Sequence, residues 1–482
     1  MDKYIVVTLG PIFDTVNLAS SPAALWTGSY MFSYLNKTIC RLLIERGVPE
    51  EDILTPFYSA GSGFAGNCDG VGLFHDRIVF KAGAFQFAEF AQVREAAIDH
   101  LSETFSVDRT YLKEYLLIAG AVCEAENPIM DTGKILDCLE LAKPIVKPRQ
   151  DNPLLAMLVG EKYYGNEAIK ELPLTKQFQN WQLRKPNGQL KSISDIAGVP
   201  WKTDLKKHQY YAVVRADGDH MGDIIASLDS GSIRSFSEDC IHYCSDIAKA
   251  VGNFGGVTIY SGGDDLLAIL PCENQRGQSV FEFVRQANAL FDQSFSKEKY
   301  HKDVSLSFGV TICYHKFPLY EALEDSQHML FDLAKSKRNC MAVHLQKHAG
   351  QSEGLIIPNG ALDALIDLYN SCVSRKDTEW LHSIHHKLKT FRKLFLLAEQ
   401  DWDRIHNLFE NVFDAECHVD NDLLQRQLPK FYYDMMTRYA IDSVADEIGV
   451  KYGRNPEQDP VDTLCYILRL FKFFVEKGGK EE

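Results

Sequence analysis

The chain opens on Tyr4-Ile-Val-Val-Thr-Leu9, an apolar and β-branched run stopped by Gly10-Pro11, which predicts a buried strand. From about Ala23 to Arg46 the apolar positions change period. Leu25, Tyr30, Met31, Tyr34, Leu35, Ile39, Leu42 and Leu43 recur near three and four apart and predict a helix. Two short strand-like runs follow, Ile53 to Tyr58 and Arg77 to Lys81, separated by a glycine-rich stretch. A helix over Phe85 to Phe105 and a strand near Tyr111 to Val122 complete the series. The order is β-α-β-β-α-β, that of a ferredoxin-like unit.

Between Lys143 and Pro200 the pattern lapses. Pro144, Pro148, Pro153, Pro173, Pro186 and Pro200 fall here, and proline is a poor interior residue for helices and central strands, so this segment reads as a connector with short helices. The pattern then restarts with strands at Tyr210 to Ala216, Val257 to Tyr260, Leu266 to Leu270, Val304 to Cys313 and Met341 to Leu345. Helices over Ser235 to Val251, Ser279 to Phe295 and Leu319 to Ala334 are interleaved with them. The first six elements repeat the order of the N-terminal segment, as a diverged duplication would. Beyond Gly350 strand signals fade, and helical spacing runs through Ala361 to Cys372, Glu379 to Glu399, Asp401 to Phe413, Asp422 to Gly449 and Val461 to Lys477. The expected fold is α+β. Residues 1–142 form a first ferredoxin-like domain, 143–205 the connector, 206–348 a second ferredoxin-like domain, and 355–482 an all-helical C-terminal domain.

A chain of 482 residues is longer than one hydrophobic core normally serves, which agrees with several domains. Apolar residues at 45% and charged residues at 24% argue against a disordered or fibrous chain. With 51 basic and 66 acidic residues the formal charge is −15. Such a surface does not attract polyanions by bulk charge, so nucleic acid must be held at local basic patches or through partner subunits. Met1 to Leu9 lacks the apolar segment of a signal peptide, and Tyr115 to Val122 falls far short of the ~20 residues a membrane span needs. The expectation is a soluble cytoplasmic protein without a membrane partner. Twelve cysteines include no Cys-x-x-Cys pair. Cys240 and Cys244, one helical turn apart, supply two ligands but not four, so buried thiols are expected and zinc is not.

The chemistry concentrates in Tyr260-Ser-Gly-Gly-Asp-Asp-Leu-Leu267. The glycines permit a turn most residues cannot adopt and let a large ligand approach the backbone. Two adjacent carboxylates repel, and keeping both ionised needs a counter-ion. Val257-Thr-Ile-Tyr260 and Leu266-Leu-Ala-Ile-Leu270 flank the turn, so the acids sit on a hairpin rather than a loose loop. Val213-Val-Arg-Ala-Asp-Gly-Asp-His-Met-Gly222 places Asp217 and Asp219 at the end of the first strand of the same unit. In a ferredoxin-like sheet that strand lies beside the hairpin, which lets Asp217 converge with Asp264 and Asp265. Three carboxylates around a point make an oxygen site suited to Mg²⁺ or Mn²⁺. Two ions held this way activate a 3′-hydroxyl and neutralise a nucleoside triphosphate.

Asp217-Gly-Asp-His-Met-Gly222 with Gly262-Gly-Asp-Asp265 resembles the palm domain of the large subunit of type III CRISPR effector complexes, the Cas-ten family. Gly10-Pro-Ile12, Leu25-Trp-Thr-Gly-Ser-Tyr30 and Ser33-Tyr-Leu35 are similar to the start of the first palm in its Cmr-type (type III-B) branch. Ser307-Phe-Gly-Val310 through Leu333-Ala-Lys-Ser-Lys-Arg-Asn339 fits the tail of the second. The resemblance covers residues 1 to about 345 by motif and the helical end by architecture. It implies two palm domains and a metal-dependent nucleotidyltransferase. On target RNA binding to the complex, such an enzyme makes cyclic oligoadenylate or a related adenylate messenger from ATP for antiviral defence. Implied partners are the other effector subunits and, through them, guide RNA and target RNA.

Carried onto this chain, the resemblance makes Asp217, Asp264 and Asp265 the catalytic metal ligands, with the Gly218 carbonyl as a helper. Ser261, Gly262 and Gly263 line the nucleotide. Lys335 matches the Ala-Lys of related nucleotide cyclases, where the lysine meets a triphosphate. Arg338 stands one residue closer than in the cyclase Ala-Lys-x-x-Gly-Arg-Asn, and a solvated helix end is the competing reading for both residues.

Many family members begin with a His-Asp nuclease domain. This chain begins at the first palm, and its Asp99-His100 is reversed, so DNase activity is not expected. The first palm lacks a carboxylate pair in its hairpin. It carries Gly61-Ser-Gly-Phe-Ala-Gly66 instead, which Asn67-Cys-Asp-Gly-Val-Gly72 does not continue as a dinucleotide-binding helix; a loop bordering an acceptor nucleotide fits better. His382, His385 and His386, followed by Lys387, Lys389, Arg392 and Lys393, read equally as a basic face toward RNA or a partner and as a solvated helix. Two other functional readings stand beside the leading one. A stand-alone diguanylate-type cyclase is disfavoured by the second palm-like unit and by Gly-Gly-Asp-Asp, and a silent scaffold is disfavoured by the intact aspartates.

Overall fold

The computed structural model describes residues 2–59, 70–141, 165–201, 203, 205–348, 352–373, 379–413, 422–445, 453–454 and 459–477. Among the described residues run twelve strands. They are β1 (Asp2–Gly10), β2 (Ile53–Thr55), β3 (Arg77–Lys81), β4 (Leu117–Ala125), β5 (Tyr210–Asp219), β6 (Val257–Gly262), β7 (Asp265–Pro271), β8 (Ser305–Tyr314), β9 (Cys340–Gln346), β10 (Ser352–Pro358), β11 (Asp442–Ala445) and β12 (Gly453–Arg454). The chain divides into two compact units. One comprises 1–193, 220–269 and 289–305; the other comprises 194–219, 270–288 and 306–482.

In the first unit β2, β3, β1 and β4 form an antiparallel sheet in that order, with β1 central. Tyr4, Val6, Leu54, Val79, Ala125, Leu136 and Ile233 make its core, the buried Val, Leu and Ile side chains contributing roughly 1.5–3 kcal/mol each. The long helix Pro22–Glu45 starts as the periodicity predicts, with the Ser21 side chain accepting from the Ala24 amide and proline in the first turn. Its aromatic face holds the connector. Trp26 packs on Trp181 and Phe178, and its indole N–H donates to the Gly70 carbonyl. The β6–β7 hairpin belongs to the same unit, and Ser261 on β6 donates its amide to the Gly72 carbonyl.

Two expectations for this unit are corrected. The strand near 111–122 is preceded by a helix, Arg109–Tyr115, because Asp108 caps it by accepting from the Tyr111 amide, and Tyr111, Leu112 and Tyr115 share its buried face. The strand itself is Leu117–Ala125. The run expected over 53–58 ends at Thr55, where Pro56 has no N–H to continue the ladder. The Gly61–Gly66 loop lies outside the described residues.

In the second unit the strand order is β12-β11-β10-β9-β8-β5. β8 and β9 are parallel, joined by a helical crossover over 319–337 whose middle, Met329–Ala334, is a π-turn. Met329, Leu330, Leu333, Ala334, Cys340, Ala342 and Ile356 form the core beneath it. Gly309 on β8 explains how close the crossover comes. A Cβ there would lie 2.4 Å from the Ser326 carbonyl oxygen and 2.5 Å from the Leu330 amide nitrogen.

The expectation of an all-helical end after 350 is corrected as well. β10 pairs antiparallel with β9 from Ser352 opposite Gln346 to Pro358 opposite Cys340, and β11 adds to β10. The helix expected over 422–449 stops at Thr437. That expected over 379–399 breaks at Phe391 into Glu379–Thr390 and Arg392–Leu397. Among the described residues no helix is long and apolar enough to cross a membrane.

Candidate active site

In the first unit, Gly262 closes β6 and Asp265 opens β7, with the two paired across a two-residue turn. Gly263 takes φ +68°, the left-handed first position that tight hairpin turns demand. Gly262 is glycine for a different reason. The Tyr260 ring lies against it, and a Cβ would meet Tyr260 Cζ at 2.8 Å. The hairpin rests on the helix Ser232–Phe254. Ser261 Oγ donates to the Cys244 carbonyl at 3.3 Å, and Cys244 Sγ donates to the Gly263 carbonyl at 3.4 Å.

Ser261 and Gly262 are therefore buried, while Gly263, Asp264 and Asp265 are half-buried at the turn. Burial, reinforced by the Asp265 and Asp264 charges, pushes the Tyr260 phenol far above its ordinary range. Cys240 and Cys244 are buried free thiols, as the sequence suggested.

The second unit brings together Asp217, Gly218 and Lys335. Lys335 Nζ donates to the Asp217 carbonyl at 2.9 Å, to the Gly218 carbonyl at 2.7 Å and to Asp219 Oδ1 at 2.9 Å, and stands 3.1 Å from Asp217 Oδ1. Burial raises the Asp217 carboxyl; the Lys335 ammonium pulls it down and the Asp219 charge adds to the rise.

Sequence reasoning missed how much Asp219 does. This carboxylate, 2% exposed, also accepts from Ser307 Oγ at 2.7 Å and from the Asn339 amide at 2.9 Å. The available signal was spacing, since residues i and i+2 of a strand share a face. Arg338 is exposed in the turn before β9, at φ 63° and ψ 164°, a region populated almost only by glycine, and Asn339 follows at φ 49°.

The donors at the end of β5 are all oxygens, the chemistry a hard cation such as Mg²⁺ takes, and a cation, the Lys335 ammonium, already stands there. Among the described residues no three His, Cys, Asp or Glu side chains form a group able to hold a metal. Asp264 and Asp265 lie in the other unit.

The basic run is engaged within its own domain. Lys387 donates to the Val412 carbonyl, and Arg392 pairs with Asp459 and Asp462. His385 and His386 lie on the helix Glu379–Thr390 with His382, whose side chain is outside the described residues.

Two family models match. One is described as Cas10/Cmr2, second palm domain, over residues 210–342; the other as CRISPR-associated protein Cmr2, N-terminal, over residues 4–105. A curated relative, the CRISPR system Cmr subunit Cmr2 of Pyrococcus furiosus, is 28% identical over 224 residues. The match spans 40% of this chain and a quarter of the relative's length. A type III-B Cmr-beta structure in the apo state aligns with a TM-score of 0.57 at 11% identity, covering 97% of this chain and 81% of the other. The Csm1–Csm4 cassette with one ATP aligns at 0.56 and 14%, covering 98% and 70%; the same cassette with cA4 aligns at 0.55 and 14%, with the same coverage. At these identities the likeness is one of fold.

Proposed function

The chain belongs to the Cas10/Cmr2 family of type III CRISPR effector large subunits, and from that premise we propose that it is the nucleotidyltransferase of its complex. It converts ATP into a cyclic oligoadenylate or related adenylate when the complex binds target RNA. The observation that carries this reading is the Gly262-Gly-Asp-Asp265 hairpin, built with acids at its turn and glycines that leave the backbone approachable. Neighbours of the same fold were solved with ATP, AMPPNP, pppApA and cA4, which supports an adenylate as substrate.

In this reading Asp217, Asp264 and Asp265 hold Mg²⁺ or Mn²⁺, with the Gly218 carbonyl beside them. Such ions, when bound, would supply Lewis acidity toward a 3′-hydroxyl and charge neutralisation at a triphosphate. Ser261, Gly262 and Gly263 present backbone to the nucleotide. Lys335 and Arg338 supply positive charge toward phosphate, and the Lys335 ammonium offsets Asp217 and Asp219 meanwhile. The other effector subunits, guide RNA and target RNA are its partners.

The test replaces Asp264 and Asp265 together by Asn, and separately Asp217 by Ala, in the assembled complex. Adenylate synthesis should be lost while each variant still folds and assembles, with a cooperative melt as the check. Substantial ATP turnover by the double variant would refute the assignment.

A second reading, a silent scaffold, has one observation in its favour. The cation at Asp217 is a lysine, and no three-acid group is present among the described residues. It predicts no product from the wild-type complex with ATP, either divalent ion and target RNA.

A further inference from the structure

We propose that Asp219 is a positioning residue that locks the Lys335 ammonium against the end of β5 and ties the strained turn before β9 to the same point. The inference deepens the proposed nucleotidyltransferase reading and rests on it only for its kinetic consequence; the contact itself is tested without activity.

Asp219 is at the last position of β5, its side chain has no exposed surface, and a buried carboxylate persists only where hydrogen bonds and an opposite charge compensate it. Three donors from three different elements converge on it. They are Ser307 Oγ from β8, the Asn339 amide from the turn before β9, and Lys335 Nζ from the C-terminal end of the crossover helix. Asp217 shares only the last of these. Its side chain is 23% exposed against none for Asp219, so Asp217 is the member of the pair open to a ligand.

Asp217 supplies only part of the hold on Lys335. Its three N–H bonds are directed at the Asp217 carbonyl, the Gly218 carbonyl and Asp219 Oδ1, a fixed geometry for a side chain that is otherwise flexible. The turn supplies the second line of argument. Arg338 and Asn339 are consecutive non-glycine residues at positive φ, and such strain persists only where surrounding contacts over-determine the backbone. The Asn339 amide bonded to Asp219, and the Asn339 carbonyl accepting from the Asn359 amide at 2.9 Å, are among those contacts. Asp219 thus fixes both Lys335 and the backbone that presents Arg338, without itself facing the ligand.

The experiment measures acylation of Lys335 by an amine-reactive ester in the folded full-length chain, read by mass spectrometry, with exposed Lys297 as internal control. In Asp219→Asn the labelling rate of Lys335 should rise about tenfold or more, the scale of one lost charge-assisted hydrogen bond, while Lys297 is unchanged. An unchanged Lys335 rate would overturn the proposal.

If Asp219→Asn does not fold, the double variant Asp219→Asn/Lys335→Met decides. Removing both charges should restore folding if the broken pair is the fault, and failure to restore it would overturn the proposal. In the active complex the same pair forms a double-mutant cycle. The rise in KM for ATP in Asp219→Asn/Lys335→Met should fall short of the product of the two single-variant rises, the remainder over Lys335→Met being the share carried by the turn, whereas fully additive losses would mean that Asp219 does not act through Lys335. A wild-type complex that makes no adenylate would sink the functional reading and leave the labelling result standing.

Discussion

Gly262 and Gly263 adjoin each other, yet each is glycine on separate physical grounds. Gly263 needs a left-handed backbone and has open space around its Cα, while Gly262 has ordinary backbone and no room beside the Tyr260 ring. Gly262→Ala should therefore destabilise the hairpin by about 1–3 kcal/mol through overpacking. Adding Tyr260→Phe, which removes the hydroxyl meeting that Cβ most closely, should recover part of the loss in thermal melting. Equal melting of the single and double variants would mean that the ring is not the obstacle.

Asp219 makes the complementary point. Three donors meet at a residue whose type and spacing show in the sequence, but whose burial does not. Asp217, Asp264 and Asp265 stood out as candidates because adjacent or alternating acids at strand ends are costly to keep without a cation. Lys335 was legible only through the family resemblance, and its role as counter-ion to two aspartates was not.

Close packing between elements decides Gly309. The crossover helix places backbone atoms, not side-chain tips, where a Cβ would go, and backbone cannot rotate aside. Gly309→Ala should cost about 1–3 kcal/mol or more. At about 2–4 °C per kcal/mol for units of this size, the melting temperature should fall by several degrees. Unchanged melting would show that the crossover can shift away from β8.

A buried ion pair gives the pH-dependent case. Burial alone would raise the Glu273 carboxyl, but hydrogen bonds from His208 and Lys207 bring it below its ordinary 4.5. A depressed folded pKa means stability that is fully present above about 4.5 and is lost as pH falls through the lower folded value. Glu273→Gln removes that acid-side slope and leaves Lys207, whose side chain is 6% exposed, buried without its partner, at a cost of about 3–5 kcal/mol. A variant with the wild-type acid slope would contradict the pairing.

At this scale the sequence was legible wherever periodicity was long. The helix Pro22–Glu45 and the strands β5 to β9 lie within a few residues of the pattern. It failed where a short element depends on its neighbour. β10 offers only Leu355-Ile-Ile357 as an apolar run, and its identity as a strand comes from β9 beside it. The helix Arg109–Tyr115 was hidden because its aromatic residues also suit a strand, and one capping aspartate decides the matter.

For the molecule as a whole, charge is the governing constraint. A chain of net charge −15 does not attract RNA by bulk charge, and its Lys387 and Arg392 are engaged with their own domain. Exposed Phe391, Leu394, Leu397 and Trp402 lie close in sequence on the helical region and suit contact with another subunit better than contact with phosphate. In the proposed function, target RNA would act by favouring a competent state of the assembled complex, which requires that it bind that state more tightly. The most direct measurement is the rate of adenylate formation from ATP and Mg²⁺, read by mass spectrometry, for the chain alone, the complex alone, and the complex with cognate target RNA. The account predicts product chiefly in the third reaction and none there when Asp264 and Asp265 are both Asn; equal rates in all three, or undiminished product from the Asn variant, would contradict it.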